Sequence, residues 1–146
     1  MKFRCKVWPA KDPAFSEERF HWAPLINVRL IYGDSAPSKL IECLVDSGAH
    51  ACLFDASLCH PLGIKRVEHG IPGDLKGIIS GPKASLYYHK IKVLIDSEQF
   101  ETMAGFSPRV SVAGILGRRG FFENFVVTID SSVEPPVCNL QRIRRT

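Results

Sequence analysis

The sequence predicts an all-β domain with one short helix. From Pro24 onward, short runs rich in Val, Ile, Leu, Phe and Tyr alternate with clusters of Gly, Pro, Asp and Ser. Many short strands with turn signals between them, and a single helix candidate, are the signature of that class. The length, 146 residues, suits one hydrophobic core.

Taken in order, residues 1–23 are mixed in charge, carry Pro9, Pro13, Trp8 and Trp22, and show no clean period. They are expected to form an N-terminal arm packed on a domain of residues 24–146. The first strand is Leu25–Tyr32, ended by the turn residues of Gly33–Ser38. A second, Leu40–Val45, breaks at Asp46-Ser47-Gly48. A single helical turn is expected around Asp55–His60, stopped by Pro61 and Gly63. Residues 75–95 read as a long hairpin, with its tip at Gly77–Pro82 and its return strand at Ser85–Ile95. There Ile91, Val93 and Ile95 fall on one face, as a half-buried strand requires. Gln99–Phe106 reads as another strand, and Arg118–Asn124, after Gly117, as the helix. Phe125–Asp130 returns to strand and Val137–Ile143 pairs back on it. No solenoid period is present.

Composition excludes several classes. With 45% apolar and 23% charged residues, the chain is neither collagen-like nor wholly disordered. No apolar run reaches the roughly 18 residues of a membrane span, so no membrane partner is expected. The net charge of +4 is too mild to mark a nucleic-acid binder. Arg142, Arg144 and Arg145 supply three of those charges, and without them the balance is +1. The opening Met1–Lys6 leads into Trp8-Pro9 without a continuous apolar stretch, which argues against export and for a cytoplasmic location. The five cysteines form no C-x-x-C pair and are read as reduced, buried thiols. Cys52, Cys59, His60 and His69 fit no common zinc spacing, so no metal or other cofactor is expected. A cysteine nucleophile paired with His50 or His60 has only proximity in sequence behind it.

The informative stretch is Leu44-Val45-Asp46-Ser47-Gly48-Ala49. A carboxylate stands at the abrupt end of an apolar strand, where the strand fixes its position and glycine admits another backbone closely. Alone, Asp-Ser-Gly reads as a β-turn. Further along, Val112-Ala113-Gly114-Ile115-Leu116-Gly117-Arg118 places two bulky apolar residues before a glycine and a short helix. The order and spacing over roughly residues 24–130 resemble the retropepsin-like, or retroviral-type, aspartic peptidases. The resemblance implies a closed β-barrel lobe. Asp46 matches the catalytic residue and Ser47, Gly48 and Ala49 the loop around it. Gly77, Ile78, Ile79, Ser80 and Gly81 fall at the flap that would cover a substrate. Ile115, Leu116, Gly117 and Arg118 match the segment that backs the catalytic loop, and Phe121-Phe122 the inward face of the helix. Two departures stand out. The acid that commonly pairs with the late Arg is replaced by His50, and the flap is poorer in glycine.

Such chemistry needs two carboxylates sharing one proton. The chain has one Asp-Ser-Gly, and Asp34-Ser35-Ala36 lacks the glycine and lies in a proline-bearing turn. The resemblance therefore implies a homodimeric endopeptidase acting on a peptide or protein, with Asp46 supplied by each subunit. Two rival readings remain: an inactive peptide-binding or dimerisation module of the same fold, and a structural β-domain whose Asp-Ser-Gly is only a turn.

Overall fold

The computed structural model describes residues 1–10, 12–74 and 86–146. Its elements in chain order are β1 (Lys2–Arg4), β2 (Lys6–Pro9), β3 (Phe20–Ala23), β4 (Leu25–Ile31), β5 (Ile41–Val45), β6 (Leu53–Asp55) and α1 (Cys59–Leu62). They continue with β7 (Ile71–Gly73), β8 (Leu86–Ile95), β9 (Glu98–Ser107), β10 (Gly114–Leu116), β11 (Phe125–Asp130) and β12 (Val137–Arg142).

Six strands close into a barrel in the order β4-β5-β10-β6-β9-β8, and β8 pairs back on β4 to complete the ring. β5 with β10 and β6 with β9 are parallel; the other barrel pairings are antiparallel. Closure removes the open edges that a sheet of this size would otherwise expose. Strand alternation fills the interior: Ile26, Val28 and Leu30 from β4, Cys43 and Val45 from β5, and Ile91, Val93 and Ile95 from β8 are all buried. β7 lies outside the ring, antiparallel to β8. A second sheet, β1-β12-β11, extends the core through Phe125, Cys138 and Leu140. There Arg142 lies over the Phe125 ring, 5.1 Å from its centroid. β2 and β3 form a separate two-stranded ribbon.

The strand expectations at Leu25–Tyr32, Leu40–Val45, Ser85–Ile95, Gln99–Phe106, Phe125–Asp130 and Val137–Ile143 correspond to β4, β5, β8, β9, β11 and β12. The helical turn near Asp55–His60 is present as a 3₁₀ turn, Ala56–Leu58, running into α1. Pro61 sits inside α1 instead of stopping it, because in a first turn its missing N–H costs nothing. The helix ends at Gly63, whose φ of +90° suits a left-handed cap.

The helix expected at Arg118–Asn124 is absent; the segment is a chain of turns. Gly120 has φ +91°, which no right-handed helix accepts. The Gly120 N–H donates to Glu123 Oε2 at 3.0 Å, and its carbonyl accepts from Asn124 Nδ2 at 2.6 Å. Side chains thus satisfy the backbone where a helix would have done so. Phe121 is nevertheless fully buried against Phe100 and Phe125, so the inward aromatic survives without the helix.

Candidate active site

β5 delivers Asp46 to the end of the barrel. Val45 is buried and anchors the strand, and Asp46 itself is half-buried. The Gly48 N–H donates to Asp46 Oδ1 at 2.8 Å and the Ala49 N–H to the Asp46 carbonyl at 3.2 Å. The carboxylate is thereby aimed by its own turn, as Asp commonly does two residues ahead of an N–H. Ser47 and Gly48 are exposed beside it.

A second strand end backs this loop. β10 pairs with β5 in the register Ile115↔Leu44 and Leu116↔Val45. The ladder then continues beyond the strands: the Asp46 N–H donates to the Leu116 carbonyl at 3.1 Å. The Arg118 and Arg119 N–H groups donate to Ala49 and His50 carbonyls at 2.9 and 2.8 Å. Glycine is required at 117 because a Cβ there would stand 2.2 Å from the Ala51 carbonyl oxygen. Leu116 and Arg118 are thus hydrogen-bonded to Asp46 and Ala49, while Ile115 lies opposite Leu44 and Gly117 packs on Ala51 and the Ala49 carbonyl. Gly77, Ile78, Ile79, Ser80 and Gly81 lie outside the described residues.

Leu44 precedes Asp46 by two residues and shares its face of the strand. Cross-strand register continues that row through Ile115 to Leu53. All three are half-buried. Together they form an apolar ledge beside a carboxylate, able to accept the side chains of an extended peptide. Leu44 was legible from its spacing to Asp46, but Leu53 joins the row only through the β6–β10 pairing, which no local pattern encodes.

The other acids and thiols are placed differently. Asp34 is exposed at the opposite end of β4. Asp130 closes β11 in solvent, its carboxyl held below the usual range by hydrogen bonds from the Ser132 hydroxyl and N–H. All five cysteines are free and buried. Desolvation pushes the thiols of Cys52 and Cys59 up to about 11, and that of Cys43 further up. Such thiols stay protonated near neutrality and are poor nucleophiles. Among the described residues no cluster of three or more His, Cys, Asp or Glu is placed to hold a metal. His89 is buried, with Nε2 2.8 Å from the Val67 carbonyl, so that nitrogen donates and the ring is structural.

No protein-family model matches the chain, and no curated protein does. Solved structures do match. A retropepsin-like aspartic protease from Rickettsia conorii aligns with a TM-score of 0.56 at 15% identity, over 80% of this chain and 89% of its own. EIAV protease in complex with the inhibitor HBY-793 aligns at 0.45 and 20% identity, over 66% of this chain and 82% of its own. The retroviral protease-like domain of Ddi1 from Leishmania major aligns at 0.43 and 14%, over 64% of this chain and 71% of its own. The Rickettsia likeness establishes the fold: a single retropepsin-like lobe, all-β, with a six-stranded closed barrel and, among the described residues, one short α-helix.

Proposed function

We propose that the chain is one subunit of a homodimeric aspartic endopeptidase, with Asp46 of each subunit forming a shared catalytic pair. The observation that carries this reading is the placement of Asp46. It is a half-buried carboxylate, aimed by the Gly48 N–H and backed by residues 116–119, beside the apolar ledge of Leu44, Ile115 and Leu53. One lobe offers one such acid, and a lone carboxylate cannot act as base and acid at once.

Across a two-fold axis the two carboxyls share a proton. The ionised one takes a proton from water, and the water oxygen adds to the scissile carbonyl carbon. The protonated one gives its proton to the carbonyl oxygen. When the tetrahedral intermediate collapses, one of its hydroxyls returns a proton to the ionised carboxyl, the C–N bond breaks, and the leaving amine takes the proton of the other carboxyl, so the pair again shares one proton. The substrate is an extended peptide held by backbone hydrogen bonds, with apolar side chains flanking the cleaved bond.

Asp46→Asn tests the reading, since the amide is nearly isosteric and removes the one carboxylate that the Gly48 N–H holds at the end of β5. Hydrolysis of a peptide library should fall by about three orders of magnitude or more while the circular dichroism is unchanged. Undiminished hydrolysis by the folded variant would refute it.

A further inference from the structure

Residues 6–23 build a feature that neither the barrel nor this chemistry uses. β2 and β3 pair with each other, with Val7 opposite Trp22 and Pro9 opposite Phe20. Those four side chains share one face of the ribbon by strand alternation. The Phe20 and Trp22 rings meet edge-on, 5.4 Å between centroids. Val7 is 52% and Phe20 42% exposed, Pro9 is exposed and Trp22 half-buried. The connection at 12–19 is exposed throughout and carries Phe15, Asp12, Glu17 and Glu18. A lone two-stranded ribbon is marginal in water, and an uncovered apolar face of this kind marks an interface.

Its root is as telling as its surface. The Val45 N–H donates to the Pro24 carbonyl at 2.9 Å, so β3 leaves the barrel level with the end of β5, one residue before Asp46. We propose that this apolar face docks on a second copy of the chain, each ribbon clasping the other copy beside its Asp46 loop. The proposal rests on the shared-Asp46 reading. Carboxyls that meet about 3 Å apart put the two-fold axis next to Asp46. A ribbon rooted there, with four-residue strands reaching roughly 13 Å, extends onto the other copy. Charge complementarity selects the same occupant. Residues 11–19 carry Asp12, Glu17 and Glu18 against Lys11 and Arg19, a net charge of −1 with the acids in the majority. Arg118, held against Ala49 through its backbone, is exposed and has no ion pair among the described residues. Its neighbour Arg119 is already paired with Glu123 at 3.2 Å. The acid missing from position 50 is thus supplied by the ribbon of the other copy.

Sedimentation velocity on the full chain over a concentration series tests this. Phe20→Asp/Trp22→Asp should raise the dimer dissociation constant by at least about tenfold with unchanged circular dichroism. Arg118→Glu should weaken the dimer as well, and adding Glu17→Arg/Glu18→Arg should restore it. A dissociation constant within about twofold of wild type for the Phe20→Asp/Trp22→Asp protein would overturn the proposal, as would a wild-type chain that stays monomeric. An unchanged dimer with a raised KM would also overturn it and give the face to the substrate. Asp46→Asn separates the two readings. Ribbon-dependent dimers whose activity ignores Asp46 keep the clasp and refute the peptidase. Asp46-dependent activity in dimers indifferent to the ribbon does the reverse.

Discussion

The Asp46 loop and the 6–23 ribbon leave the barrel at the same end and are held in opposite ways. The loop is tied by successive backbone hydrogen bonds to residues 116–119, over a glycine that admits no side chain. The ribbon is tied at its root, by the Pro24 carbonyl and the Lys6–Glu42 pair, and presents apolar side chains to water. A segment that satisfies its own backbone and buries its own neighbours holds its shape without help. One that leaves Val7 and Phe20 exposed and Trp22 half-buried has an apolar face that the rest of the chain does not cover. Substitutions should therefore cost much in the first region and little in the second.

The largest effect is expected at Gly117. Gly117→Ala forces a methyl into the Ala51 carbonyl and should cost about 4 kcal/mol or more, seen as loss of the cooperative unfolding transition in urea. Phe121→Ala should cost about 3–5 kcal/mol by leaving a cavity beside Phe100 and Phe125. A stable Gly117→Ala protein would break the comparison at its firmer end.

The buried thiols give a smaller, pH-dependent effect. Burial holds Cys52, Cys59 and Cys138 at about 11, against 9.0 for an exposed thiol. Between those values the unfolded chain loses protons that the folded one keeps. Stability is therefore full below about 9 and falls as pH rises towards 11, by on the order of 2 kcal/mol for each such thiol. Thermal melts over that range should show the decline, and Cys52→Ala should reduce it. The smallest effect belongs to the ribbon. In dilute protein, Phe20→Asp should change the unfolding free energy of the isolated subunit by less than about 0.5 kcal/mol. A large loss there would mean that the ribbon is part of the core.

Much of this was legible in the sequence because it is local. Asp-Ser-Gly after Leu40–Val45, and Gly117 after Ile115-Leu116, are contiguous patterns, and alternation marks β8. The closed ring was available only through family resemblance, since strand pairing is not written locally. The helix expected at Arg118–Asn124 is absent because Gly120 adopts a positive φ, which the sequence alone does not announce. The tertiary fit also leaves no room for a side chain there, since a Cβ would stand 2.5 Å from Thr102 Oγ1. The ribbon was hidden because Val7, Pro9, Phe20 and Trp22 align only after β2 and β3 pair across a long, polar connection.

The central claim is that two chains share one site through Asp46, and mixing subunits tests it most directly. Wild-type and Asp46→Asn chains are refolded together and the tagged heterodimer is isolated for assay. It carries one carboxyl and one amide, and it should be as inert as the Asp46→Asn homodimer. A heterodimer with about half the wild-type activity per dimer would show that each chain works alone, and would contradict the shared site.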